Sequence, residues 1–402
     1  MTRLIQRFLA YVQIDTQSDG KVLQCPSTDK QKNLSRRLVE ELKAMGYDAF
    51  MDAHGYTYTT IKKTAEGFTP IGFIAHVDTS PDAPGGPVKP RVIERYNGET
   101  IVLNETYQMS PKTFPSLNQV IGDDIIVTDG NTLLGADDKC GVAQMMELAA
   151  YLQEHPEIPH GDVYLCFTPD EEIGRGADLF DYDYFKAEYA YTMDGSAVGG
   201  IEYENFNAAT ATLTFTGKSI HPGTAKNKLV HAGHIAMEFH GLLPKSLDPA
   251  LTEGYEGFNH LTELQATVEQ ATAIYIIRNH DKALFETQKE AFKSIGAFLN
   301  QRYGYEAVSL ELQDSYYNMA EKIQPRMDII DKALAAIQHC GVTSFSTPIR
   351  GGTDGARLTY EGLLCPNLGT GGFQFHGRYE FASIQQMHKA LEIMIEIVKT
   401  AK

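Results

Sequence analysis

Over the first two hundred residues the apolar positions alternate between helical spacing and unbroken apolar runs. MTRLIQRFLAYVQIDTQ sets Leu4, Phe8 and Val12 on one face and predicts an amphipathic helix. DKQKNLSRRLVEELKAMGY places Leu34, Leu38, Leu42 and Met45 at helical spacing and stops at a glycine. YTYTTIKK, PIGFIAHVD, VYLCFTPD and EYAYTMD read as strands, and KCGVAQMMELAAYLQEH reads as a helix between two of them. Strands this apolar belong to a sheet covered by helices on both faces, so the alternation predicts an α/β domain.

Near residue 207 the pattern changes. AATATLTFTG alternates as a strand, LVHAGHIAMEFHGLLP is helical, and HLTELQATVEQATAIYIIRNH holds two strands. KALFETQKEAFKSIGAFLNQRYG is a long helix and AVSLELQDS a last strand. The order βαββαβ is that of a ferredoxin-like sandwich. Helix, loop and strand segments then resume through the C-terminal helix IQQMHKALEIMIEIVKTA. A chain of 402 residues exceeds one ordinary core. The expected organisation is a large domain over 1–206 and 316–402, interrupted by a small one over 207–315.

Charge and cysteine content narrow the class. Acidic residues outnumber basic ones by 52 to 35, a formal net charge of −17, which argues against nucleic acid or an anionic membrane as partner. The N-terminal segment lacks the apolar core of a signal peptide, and no apolar run approaches membrane-spanning length. Five cysteines without a CxxC spacing suggest neither a disulfide framework nor a zinc knuckle. The expected compartment is the cytoplasm.

The candidate chemistry lies at the strand ends. His76 and Asp78 close IGFIAHVD; Asp137 and Asp138 follow in LLGADDKCG; Glu171 and Glu172 end VYLCFTPDEE; Asp194 ends YAYTMD; His376 stands far downstream in GGFQFHGRYE. Carboxylate and imidazole are ligands for a borderline divalent metal, and burying them together is costly unless something neutralises them. Period-two geometry puts His76 and Asp78 on one side of their strand, so Asp78 can bond the imidazole and set its tautomer. Asp137 can bridge two ions, whereas Asp138 can equally be a helix N-cap. Adjacent Glu171 and Glu172 diverge, so one can bind metal while the other faces substrate. His155, His160, His234 and His339 lack a partner pattern.

HVDTSPD, DGNTLLGADDKCGVA, FTPDEEIGRGA, MDG, ENFNAA, HPGTAKNKLV, YIIR, DSYYNM, PIRGGTDGA and GGFQFHGRYEF together resemble the dizinc exopeptidase family that includes carboxypeptidase G, succinyl-diaminopimelate desuccinylase and the aminoacylases. The likeness is strongest to its tripeptide aminopeptidases. It implies a mixed sheet flanked by helices with the ferredoxin-like insertion serving as lid and dimerisation domain. By the same resemblance His76, Asp137, Glu172, Asp194 and His376 hold two zinc ions per subunit, Glu171 is the general base, and Asp78 orients the site. It also implies a cis peptide between Asp137 and Asp138. His221 would bond the oxyanion, reaching the other subunit's site in a homodimer. Arg278 and Arg350 would meet the carboxylate or carbonyls of a small peptide; a structural ion pair is their other reading. The alternatives to a tripeptide aminopeptidase are an N-acyl-amino-acid deacylase or carboxypeptidase on the same site, and a metal-free peptide-binding relative. Cys140 departs from the small residues usual after D-x-K, and is expected to be buried packing.

Overall fold

Three apolar runs, with the short strand Asn367–Gly369, become the parallel centre of a seven-stranded mixed sheet in the computed structural model, which describes residues 1–402. Across the sheet the strands are Ala49–Met51, Thr57–Ile61, Val163–Thr168, Ile71–His76, Tyr189–Gly195, Asn367–Gly369 and Ile201–Glu202. The inner pairs from Val163–Thr168 to Asn367–Gly369 are parallel, and the outer pairs are antiparallel. Ile71–His76 is buried along its whole length, as a strand covered on both faces must be.

One face carries the helix Ala136–Glu154, apolar nearly all round and buried accordingly. It packs on the N-terminal helix Arg3–Val12 and the C-terminal helix Ile384–Thr400. Gly141 permits this approach, since a Cβ there would collide with the Met193 carbonyl oxygen. On the other face lies an aromatic core built from Tyr56, Tyr58, Phe180 and Phe185 together with Leu358. A second, four-stranded antiparallel sheet joins Gly372–Phe373, Phe381–Ser383, Ile125–Val127 and Arg91–Ile93. Its strands of two or three residues are too short to leave a period in the sequence.

The chain divides into a larger unit, Met1–Tyr203 with Glu321–Thr347 and Thr353–Lys402, and a smaller one, Glu204–Ala320 with Pro348–Gly352. The smaller unit has the order βαββαβ and a four-stranded antiparallel sheet: Phe258–Ala266, Gln270–Asn279, Asn207–Thr216, Val308–Tyr316. The helices Ala232–Leu242 and Lys282–Tyr303 bury Leu213, Phe215, Tyr275 and Ile277 between themselves and the sheet. Pro348–Gly352, assigned from the sequence to the larger domain, belongs to this unit. Its Arg350 donates from Nη1 to the carbonyls of Gly254 and Glu256, both at 2.8 Å, and that anchors the segment.

Candidate active site

The carboxyl ends of three neighbouring parallel strands deliver most of the candidate ligands to one edge of the large sheet, where open α/β sheets carry their sites. His76 is the last residue of Ile71–His76, and Asp194 is next to last in Tyr189–Gly195. Glu171 and Glu172 open the short turn Glu171–Ile173 after Val163–Thr168. Asp137 stands at the front of the long helix, and the Asp137–Asp138 peptide is cis. His376 comes from the loop between Gly372–Phe373 and Phe381–Ser383, with a positive φ of 65°.

Asp137 lies between the two histidines. Its Oδ1 is 2.8 Å from His76 Nε2, and its Oδ2 is 3.4 Å from His376 Nε2. Asp194 Oδ1 lies 3.6 Å from His76 Nε2, and Glu172 Oε2 lies 2.9 Å from His376 Nε2. The ligand atoms of His76, Asp137 and Asp194 fall within 4.8 Å of one another, and so do those of Asp137, Glu172 and His376. Two three-residue clusters therefore share one carboxylate, the arrangement a bridged ion pair requires.

Asp78 organises this edge. His76 Nδ1 faces its carbonyl oxygen at 3.1 Å and its Oδ1 at 3.4 Å, which places the ring proton on Nδ1 and leaves Nε2 for the cluster. The same carboxylate accepts the backbone N–H of Glu171 at 3.0 Å and of Glu172 at 3.2 Å, fixing the turn that aims both glutamates. Asp138 takes its capping role: Oδ1 accepts from Gly141 N–H and Oδ2 from His76 N–H, both at 3.2 Å.

The electrostatics test whether metal fits. Burial pushes Glu172 up to about 7 and Asp194 up to about 6, with the Asp137 charge adding in both. Burial and then Asp194 hold Glu171 well above the usual carboxylate range. Burial opposes the charge on Asp137, but the two imidazoles keep its carboxyl low. Contacts with Asp137 and Glu172 push His376 up to about 12, and although burial opposes it, Asp137 and Asp194 raise His76 as well. Lys139 is buried and donates to the Ile14 carbonyl, and it forms no ion pair with the acids of the two clusters. Two imidazoles cannot balance this many buried carboxylates. Shared protons or divalent cations can, and the nitrogen and oxygen donors suit the latter.

Three participants were not anticipated from the sequence. Glu380 is buried and accepts four backbone N–H groups, those of Leu134, Gly135, Ala136 and His376, so it ties the Asp137 turn to the His376 loop. Its only sequence signal is its place four residues after His376. Asp354 is buried, accepts from Thr168 Oγ1 at 2.8 Å, and is pushed up to about 7 by burial. Glu202 lies on the sheet's edge strand. Cys140 is fully buried, in agreement with its expected packing role.

The other candidates lie in the smaller unit. His221 is exposed, and its Nδ1 accepts the Gly223 N–H at 3.2 Å, capping a short turn. Arg278 donates from Nη1 to the carbonyls of Ala209 and Ile277 and lies over the Tyr316 ring. Arg350 donates to Gly254, Glu256 and Thr252 and stacks on Phe206 and Phe258, a structural set of partners.

Residues 203–306 match the peptidase dimerisation domain family. Over the whole chain the protein is 50% identical to a peptidase T of Geobacillus sp. (strain WCH70), across 98% of each chain. It is also 50% identical to a peptidase T of Brevibacillus brevis, across 99% of this chain and 98% of that one. The fold is similar to the crystal structure of aminopeptidase PepT from Bacillus cereus, with a TM-score of 0.79 and 23% identity over 99% of this chain and 97% of that one. A tripeptidase from Staphylococcus aureus gives the same TM-score and identity, over 99% and 98%.

Proposed function

Because this chain belongs to the peptidase T family, we propose that it is a two-zinc tripeptide aminopeptidase that releases the N-terminal residue of small peptides. The observation that carries this reading is the position of Asp137, one oxygen towards His76 and the other towards His376. In it His76, Asp137 and Asp194 hold one ion, and Asp137, Glu172 and His376 hold the other. When bound, such a pair supplies Lewis acidity, lowering the pKa of a water and polarising the scissile carbonyl.

Glu171 fits the general base. Its side chain is nearly buried, and its closest cationic neighbour is His76 Nε2 at 4.0 Å, so the carboxylate is not consumed by a structural bond. A carboxyl raised by burial accepts the water's proton and returns it to the leaving amine, a balance a surface glutamate does not have. Asp78 keeps that carboxylate aimed by holding the Glu171 and Glu172 backbone.

In the smaller unit, His221 Nδ1 accepts a hydrogen bond, so the neutral ring carries its proton on Nε2 and can donate to an oxyanion. The match to a dimerisation domain supports a homodimer in which His221 serves the partner's site. Arg278 is the candidate for the peptide's carboxylate; the partners of Arg350 favour a structural role. All five cysteines are free, which supports a reducing compartment, the cytoplasm, and no helix is long and apolar enough to cross a membrane. Assaying the zinc-loaded protein on free and N-acetylated tripeptides tests the reading. Release of the N-terminal residue from the free peptide alone is expected; efficient cleavage of the acetylated one would make the chain a deacylase.

A further inference from the structure

A cavity of about 210 Å³ opens beside the ligand-bearing edge of the large sheet, lined by Gly195, Ser196, Glu202, Phe345 and Gln374 among others. Gly195 directly follows Asp194, and Gln374 lies two residues before His376, so the cavity adjoins both clusters. Among its lining side chains Glu202 bears the only charge.

The strand register fixes where that charge points. Thr192, Asn367 and Glu202 are paired side by side across three strands. Glu202 lies two strand spacings from Thr192, and Asp194 stands two residues further along that strand, past a register irregularity, so the backbones that carry the two carboxylates are about 12 Å apart. Thr192 Oγ1 donates to Asn367 Oδ1, which turns the Asn367 amide nitrogen towards Glu202 Oε2 at 3.4 Å. That neutral amide is a weak partner for a carboxylate, and no lysine, arginine or histidine forms an ion pair with Glu202. Burial and the Asp194 charge both disfavour its ionised form. A cation entering the cavity relieves this.

Resting on the aminopeptidase reading, we infer that Glu202 binds the α-ammonium group of the substrate and that the cavity holds its N-terminal residue. The ammonium nitrogen of a peptide is separated from the scissile carbonyl carbon by one Cα, about 2.5 Å away. With that carbonyl at the cluster containing Asp194, the ammonium faces the gap between Asp194 and Glu202. The preference for a free N-terminus then has a named residue behind it. Glu202 is a binding residue, and it takes no part in proton transfer.

Alanyl-glycyl-glycine and propionyl-glycyl-glycine differ only in the ammonium group. On the zinc-loaded protein, KM is measured for the first and Ki, as a competitor, for the second. Glu202→Gln should raise KM by about tenfold or more, the worth of a hydrogen bond to a charged group, and leave Ki within about threefold. If both constants rise together, or neither moves, the proposal is overturned. Should the glutamine variant not fold, Glu202→Ala, which only enlarges an existing cavity, gives the same two readings. If the wild-type protein does not release alanine at all, the aminopeptidase reading itself falls and takes this inference with it.

Discussion

Replacing Glu380 by glutamine keeps the size of the side chain and removes one charge and one acceptor. In the native site Oε2 accepts N–H groups from Leu134 at 3.0 Å, Gly135 at 2.6 Å and Ala136 at 3.2 Å, while Oε1 accepts that of His376 at 2.9 Å. A glutamine can offer its oxygen to one side only. The better orientation keeps the three bonds at the Asp137 turn and sets its NH2 against the His376 N–H. A hydrogen bond to a charged acceptor contributes about 1.5–3 kcal/mol and a neutral one about 0.5–1.5 kcal/mol. Three bonds weaken and one is lost, but the three share an oxygen, and burial already pushes this carboxyl up to about 8. Discounted for both, the cost is about 2–4 kcal/mol. His376 loses the tether on its backbone, so zinc affinity should fall roughly 10–100-fold, the usual penalty for removing a residue that orients a ligand. Calorimetric zinc titration and urea unfolding of the metal-free protein measure the two effects. A variant with wild-type zinc affinity and an unchanged unfolding midpoint would refute the tethering role.

Three further outcomes are expected. Glu171→Ala should retain both metals and lose about two to four orders of magnitude in kcat, because the base acts on water and is not a ligand; loss of zinc on metal analysis would exchange its role with that of Glu172. Without metal, stability should fall as pH rises from about 4 to 7, because Glu172, Asp194 and Asp354 keep protons in the folded chain where the unfolded chain has lost them. Zinc should abolish that fall in melting curves, and a metal-free stability that climbs with pH through this window would contradict the cluster's electrostatics. Mixing His221→Ala with Glu171→Ala under subunit exchange should restore about a quarter of wild-type activity, since half the dimers carry one intact site of two; confirmed exchange without recovery places His221 in its own chain's site or in none.

Much of this site is written into local sequence. The apolar runs ending in His76, Thr168 and Asp194 are strands because continuous burial selects such residues, and a polar residue at the end of such a run marks the edge where the chain leaves the sheet. The HxD spacing anticipates Asp78 beside the His76 ring. It does not anticipate that Asp78 also holds the Glu171 turn, 93 residues away in the chain. Asp138 had two readings until its bond to Gly141 N–H selected the cap.

What the sequence determined by itself is the set of elements and the kind of chemistry at their ends. Period and burial preference act over a few residues, and donor type is a property of each side chain. Which ends meet was decided by tertiary structure. His76, Glu171 and Asp194 converge because their strands become parallel neighbours, and Asp137 lies between His76 and His376 because its turn is tied through Glu380 to the His376 loop. The second sheet, the Glu380 tether and the Thr192–Asn367–Glu202 row all depend on pairing between segments far apart in the chain. No local pattern carries such pairings, because their stability comes from hydrogen bonds and burial that exist only once the strands are side by side.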